Sequence, residues 1–254
     1  PLQFFDSIDS TNIRAKLEAE QGAESGLLVV SDMQSAGRGR RGRGWESPAG
    51  INIYYTLMLK PDFSSDCAPM LTLVMALAVA KGIRQTLRRD SEEAAAKVGI
   101  KWPNDIVVDG KKVCGILTEM SMEQGYIQHI VIGVGINVRK QEFPEEIRDR
   151  AAAIDEQCGF RISRSQLIAD IMEAFEEDYE IFLRTHDLKG LRASYAELLV
   201  NQDREVCVLD PKGEYRGIAR GINDQGELLV ERQDGTVEEV YAGEVSVRGI
   251  YGYV

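Results

Sequence analysis

The longest apolar stretch of the chain, residues 68–80, sets the first limit on its fold: Ala-Pro-Met-Leu-Thr-Leu-Val-Met-Ala-Leu-Ala-Val-Ala, followed at once by Lys81. It falls short of the roughly 20 residues a helix needs to cross a bilayer. Leu, Met and Ala favour helix, and the composition predicts one over about residues 68–89. A helix that is apolar on all sides has to be buried, and a sheet is the surface that can cover it.

Strand signals flank that helix. Apolar runs occupy residues 27–33 and 51–59, and Asp109-Gly110-Lys111 joins Ile106-Val107-Val108 to Val113-Cys114-Gly115-Ile116-Leu117, a strong short hairpin signal. Another strand is expected over 127–134, running into Gly133-Val134-Gly135-Ile136-Asn137-Val138. Asp9-Ser10-Thr11-Asn12 predicts a loop and N-cap opening a short helix over 13–18. Apolar residues recurring at three and four predict helices over 165–183 and 188–199. From Glu205 five short runs alternate with turns at Pro211-Lys212-Gly213, Asn223-Asp224-Gln225-Gly226 and Gln233-Asp234-Gly235, the last run being 245–248, which predicts a small barrel. The boundary falls in Asn201-Gln202-Asp203-Arg204, giving units 1–203 and 204–254.

At 254 residues and 44% hydrophobic, the chain can bury a full core. Its net charge of -11 argues against a protein that coats nucleic acid or an anionic membrane, because such binding rests on summed Lys and Arg charge. The four cysteines contain no C-x-x-C pair and there are two histidines, so neither a zinc site nor a disulfide framework is readable. No secretory signal opens the chain, and a cytoplasmic location is the expectation. The first residue is Pro1 rather than Met, which leaves a natural N-terminal extension open.

Against that acidic background, Gly37-Arg38-Gly39-Arg40-Arg41-Gly42-Arg43-Gly44-Trp45 places four guanidinium groups on a glycine-jointed segment. Arg/Gly runs are common in disordered nucleic-acid tethers, but this one is short, ends on Trp45 and lies between two strand-like runs. It is expected to be a loop that binds a phosphate or carboxylate locally.

Lys101-Trp102-Pro103-Asn104-Asp105 supplies a cation, an aromatic plane, an amide and a carboxylate in five residues, and Pro103 biases Trp102 toward extended backbone. Asn104 can read a nucleobase edge, and Asp105 can accept a proton or hold a divalent metal ion; singly, Trp102 as core, Lys101 as a solvated cation and Asp105 as a hairpin cap are the plainer readings. Lys112, at the hairpin turn, leads toward Gly115, a strand glycine that hints at close ligand approach. Gly133-x-Gly135-x-Asn137 lacks the third glycine of a dinucleotide fingerprint.

In this order the segments resemble the biotin protein ligases over about residues 4–250, and the matching residues are Asp9-Ser10-Thr11-Asn12, Gln34, the Arg/Gly loop, Lys101 to Asp105, Lys112 to Leu117, and Gly133 to Val138. The resemblance implies an α/β (α+β) fold with a mixed central sheet flanked by helices, of the class II synthetase/biotin ligase type, followed by a small SH3-like barrel. It implies activation of biotin with Mg-ATP to biotinyl-5′-AMP and transfer to a lysine of a biotin carboxyl carrier domain. By the same resemblance Ser10, Thr11, Asn12, Gln34, Gly37 and Arg38 line the biotin pocket, with Gly115, Gly133 and Gly135 admitting the ring system. Arg38, Arg40 and Arg41 close over biotin and the phosphates; Trp45, Lys101, Trp102, Asn104 and Asn137 serve the nucleotide side. Lys112, Arg40 and Asp105 are the expected catalytic residues, Asp105 by helping the acceptor lysine lose its proton, and the magnesium ligands stay unassigned. Gly44 departs from the basic residue expected before Trp45. Because Ser10-Thr11-Asn12 lies so near the start, the single-function class without an N-terminal DNA-binding domain is expected, binding neither DNA nor membrane, with a homodimer left open. A lipoate or octanoate transferase of related fold, and an RNA-binding protein using the Arg/Gly loop, are the competing readings.

Overall fold

The computed structural model describes residues 1–210, 213–242, 246–249 and 253. The expected turn residues Pro211 and Lys212, and Val245 at the start of the last expected strand, lie outside them.

Seven strands form the larger sheet: β1 (Leu2–Phe5), β2 (Leu27–Ser31), β3 (Ile53–Leu59), β4 (Val98–Lys101), β5 (Asp105–Val108), β6 (Lys111–Glu123) and β7 (Tyr126–Ile136). Their order is β1-β2-β3-β7-β6-β5-β4. β1 runs parallel to β2 and the other pairs are antiparallel, so the sheet is mixed as expected. β3 is buried at every position because both faces are covered. Tyr55, Leu57 and Leu59 pack into the cluster around α2 (Met70–Arg88), while Met58 packs with Ala15 and Ala19 of α1 (Thr11–Glu20). That two-sided burial is why residues 53–59 read as one apolar run rather than an alternation.

The apolar helix anticipated over 68–89 is α2. The segment Ser65–Arg88 is long and apolar enough to cross a membrane, yet it lies in the core of this fold, where an 18-residue apolar window of it is 72% buried. Outside it lies α5 (Arg164–Thr185). At Gly82 an added Cβ would meet the backbone of Ile171 at 2.8 Å, so glycine sets how closely the two helices approach. Lys81–Asp178 and Arg89–Asp170 pairs then join their edges.

The second unit is a five-stranded antiparallel sheet: β8 (Glu205–Asp210), β9 (Gly213–Ile222), β10 (Leu228–Glu231), β11 (Val237–Val240) and β12 (Ser246–Gly249), ordered β11-β10-β9-β8-β12. Val206, Val208 and Leu228 belong to the same core cluster as α2, and the Trp102 indole N–H donates to the Gly226 carbonyl at 3.0 Å. The two sheets therefore share one core.

Several elements escaped the pattern. β1, β4, α3 (Glu92–Ala96) and α4 (Ile154–Cys158) are four or five residues long, too short for periodicity to register. The expected helix over 188–199 is reduced to α6 (Arg192–Leu198), because residues 188–191 form a turn in which the Leu188 N–H bonds to the Asp224 carbonyl. β6 and β7 extend beyond the expected limits to a second hairpin turn at Gln124-Gly125, with φ of 50° and 88°.

Candidate active site

A cavity of about 330 Å³ opens between the first turn of α1, the arginine loop, the β4–β5 connection and strands β6 and β7. Among the described residues seven cationic side chains line it, Arg38, Arg40, Arg41, Arg43, Lys101, Lys112 and Arg150, against one carboxylate, Asp105. In a chain of net charge -11 this is a local reversal of sign, and it favours an anionic ligand.

At one end a hydrogen-bond network orders the polar groups. The Ser10 side chain makes no cap bond at the start of α1; instead the Thr11 N–H and hydroxyl both reach Gln34 Oε1, at 2.9 and 3.1 Å. Asn12 Oδ1 accepts from the Thr56 hydroxyl at 2.6 Å, and its Nδ2 donates to Glu119 Oε2 at 2.8 Å. Lys16 holds the other Glu119 oxygen. Burial alone would raise the Glu119 carboxyl, but the Lys16 and Asn12 bonds and the nearby Lys16 and Arg38 charges outweigh it and hold the group below its ordinary range.

The arginine loop is a narrow hairpin. The Trp45 N–H bonds to the Gly37 carbonyl at 2.9 Å, Arg38 bridges Gly44, and a 3-10 turn at Arg40–Gly42 makes the tip, where Gly42 takes φ 71°. Glycine adopts that φ without steric cost, whereas Arg41 beside it takes φ 59° against the usual preference. At the tip Arg40 donates to Asn104 Oδ1 at 2.8 Å and to the Ala242 carbonyl of the second unit at 2.6 Å, so the hairpin lies across the cavity. Burial draws the Arg40 guanidinium below its ordinary value, with Asp105 opposing the shift.

Beneath the hairpin the Trp45 indole rests on Gly115 and Gly135. A Cβ at Gly135 would stand 2.5 Å from the indole, and one at Gly115 3.0 Å from it. Lys112, in β6 rather than in the turn, places its ammonium 2.5 Å from Asp105 Oδ1 and 5.6 Å from the Trp45 ring centre. Asp105 is buried, which by itself would raise its pKa; Lys112, Lys101 and a bond from the Tyr253 hydroxyl reverse this and hold the carboxyl below the ordinary range.

The model of the biotin/lipoate A/B protein ligase family matches residues 4–137, and that of the biotin protein ligase C-terminal domain matches residues 203–248. The chain belongs to the biotin/lipoate A/B protein ligase family. It is 37% identical over 250 residues to the bifunctional ligase/repressor BirA of Bacillus spizizenii, covering 97% of this chain and 74% of that protein. To the biotin--[acetyl-CoA-carboxylase] ligase of Paracoccus denitrificans it is 30% identical over 242 residues, covering 92% of this chain and 98% of that one. Among solved structures, the biotin protein ligase from Aquifex aeolicus in complex with biotin and ATP is similar, with a TM-score of 0.81 at 28% identity and 98% of each chain covered.

Of the residues expected to form a ligase site, Ser10, Thr11, Asn12, Gln34, Arg38, Arg40, Arg41, Trp45, Lys101, Trp102, Asn104, Asp105, Lys112, Gly115, Gly133, Gly135 and Asn137 all line the cavity. Gly37 does not; it is glycine because a Cβ would stand 2.4 Å from the Trp45 carbonyl. Gly133 leaves room for the Asn12 amide, which a Cβ there would meet at 2.0 Å. Trp102 is 2% exposed, with its N–H committed to Gly226. The Asn104 amide is also spent within the protein, accepting from Arg40 and donating to the Ile116 carbonyl. Of the plainer readings, Trp102 as core has substance; Asp105 pairs with Lys112 rather than capping the hairpin, and Lys101, 6% exposed, is not a solvated cation.

Sequence reasoning places the charged segment 139–150 near the adenosine side but gives no role to Ile147 or Arg150, and it missed Ala151, Leu209, Val247 and Tyr253; all six line the cavity. The Lys112 N–H bonds to the Arg150 carbonyl at 2.7 Å, which brings that irregular segment to the site. Tyr253 places its ring 3.9 Å from the Lys101 ammonium. No local motif marks these positions, since only tertiary contact brings them in.

Proposed function

We infer that this family member is a biotin protein ligase, which activates biotin with ATP to biotinyl-5′-AMP and passes the biotinyl group to a lysine of a biotin carboxyl carrier domain. The observation that carries this reading is the cavity itself: a polar hydrogen-bonding end built on Thr11, Asn12 and Gln34 beside a wall of seven cations, under one hairpin. In the first step a biotin carboxylate oxygen attacks the α-phosphorus and the bond to pyrophosphate breaks. Two anions have to meet, and fixed Lys and Arg donors lower that barrier by stabilising the charge that develops. We assign Lys112 to the join of the biotin and nucleotide halves and Arg38, Arg40 and Arg41 to the phosphates, because all four line the cavity. In the second step the acceptor lysine, having lost its ammonium proton to water, attacks the acyl carbon as the neutral amine; the bond to the AMP oxygen breaks, AMP leaves, and the remaining nitrogen proton passes to the departing phosphate or to water.

Two role assignments change with the geometry. Asp105 is a weak base because its carboxyl sits below the ordinary range, so we assign it to aiming Lys112 rather than to taking the acceptor proton. Asn104 positions Arg40, leaving Asn137 as the amide for the adenine side. For magnesium, no group of three His, Cys, Asp or Glu side chains able to hold a metal occurs among the described residues, and Asp105 is engaged by Lys112. The donor set does not fit a protein-held ion.

We take residues 1–203 as the catalytic unit and 204–254 as the second unit. The described cysteines are free thiols, which agrees with a cytoplasmic setting. The deciding experiment is incubation with biotin, magnesium and ATP labelled in the α-phosphate. Labelled biotinyl-AMP, then label-free transfer of biotin to a carrier domain, is expected; a folded sample that forms no adenylate, or whose biotin is displaced by lipoate at equal concentration, refutes the assignment.

A further inference from the structure

We propose that Ser47 is a positioning residue that couples the biotin end of the cavity to the arginine hairpin; the proposal deepens the ligase reading and rests on it. Ser47 is 6% exposed and is not among the cavity-lining residues. Its hydroxyl accepts from Gln34 Nε2 at 2.9 Å and donates to the Trp45 carbonyl at 3.0 Å. A hydroxyl carries one proton, so donation to Trp45 leaves only its acceptor side for Gln34.

The Gln34 amide is equally committed. Its Oε1 accepts from the Thr11 N–H and hydroxyl, which sets the orientation of the amide and turns Nε2 toward Ser47. Around this crossing the backbone is tied as well, with the Gln34 N–H on the Ser47 carbonyl at 3.1 Å and the Trp45 N–H on the Gly37 carbonyl at 2.9 Å. A Cβ at Gly37 would stand 2.6 Å from Ser47 Oγ, so the crossing has no slack. A ligand that rearranges the Thr11 and Gln34 groups must therefore pull on Ser47, and Ser47 holds the carbonyl of Trp45, the residue at the hairpin's neck. Biotin in its end of the cavity thereby biases the hairpin toward the form lying across the cavity, the form that brings its arginines to a nucleotide, so biotin tightens nucleotide binding and, by linkage, nucleotide tightens biotin binding to the same extent.

The chain has two tryptophans, and Trp102 is 2% exposed, so a collisional quencher reports on Trp45. Biotin affinity, the affinity of α,β-methylene ATP with and without saturating biotin, and acrylamide quenching are to be measured on the parent, Ser47→Ala and Ser47→Cys. In the parent, biotin should tighten analogue binding about 5- to 150-fold, the usual range for coupled sites, and change Trp45 quenching by itself. In Ser47→Ala biotin still binds, but the tightening falls below about twofold and quenching no longer responds, because the bond between the two ends is gone. Ser47→Cys, whose thiol is weak as donor and as acceptor, should fall between. Parent-like coupling in a folded Ser47→Ala that binds biotin overturns the proposal; if Ser47→Ala does not fold, parent-like coupling in Ser47→Cys does so. A parent that binds no biotin removes the ligase reading and this proposal with it.

Discussion

Replacing Gly133 by alanine tests how rigidly the biotin end is built. The new Cβ would lie 2.0 Å from Asn12 Oδ1, far inside van der Waals contact. β7 cannot yield, because Gly133 is paired with Thr56 of β3 on one side and Leu117 of β6 on the other. Asn12 must move instead, giving up its bond from Thr56 at 2.6 Å and its bond to Glu119 at 2.8 Å. A neutral hydrogen bond contributes about 1 kcal/mol and one to a charged group about 1.5–3, so Gly133→Ala should cost roughly 2.5–4 kcal/mol in urea unfolding. Displacing Asn12 also shifts Thr11 against Gln34, and biotin affinity should fall at least about tenfold, which corresponds to 1.4 kcal/mol. The control is the same substitution in an Asn12→Ala background, where the clashing amide is absent. There the added methyl should change stability by less than about 1 kcal/mol, a coupling that a double-mutant cycle reads directly. An equal loss in both backgrounds would refute the steric account.

Lys112→Met preserves side-chain length but removes the charge beside Asp105, and adenylate formation should slow about 10²- to 10³-fold, as for loss of one donor to a developing charge; pyrophosphate exchange measures it. Arg40→Ala removes the bonds to Asn104 and to the Ala242 carbonyl. Stability should fall by less than about 2 kcal/mol, while pre-formed biotinyl-AMP is released faster in a chase. The Asp170 carboxyl is pushed up by burial, but Arg89, Thr86 and Gln166 outweigh that and hold it below the ordinary 3.8. Its contribution is present above that value and lost as pH falls through the folded-state value. Asp170→Asn should therefore lower Tm at neutral pH, and the gap to the parent should close as the solution is acidified below 3.8.

What the amino-acid order alone determined is the set of elements whose signal is local. α2 is legible because thirteen consecutive residues leave one way to hide apolar surface, and the hairpin at Asp109-Gly110 because both residues take positive φ, 51° and 75°. The Arg/Gly run and Lys101 to Asp105 are legible as chemistry because charge and amide groups keep their properties in any fold. The tertiary structure alone decided which of those groups face a ligand. Trp102, adjacent to Lys101, turns its N–H to Gly226, 124 residues away, while Arg40 finds Ala242 and Asp105 finds Tyr253 from the far end of the chain. Gly37, Gly133 and Gly135 look alike in sequence, yet each is small for a different neighbour, the Trp45 carbonyl, the Asn12 amide and the Trp45 indole. A glycine records that something comes close; what comes close depends on how the sheet is ordered and where the loops cross it, which local pattern does not encode.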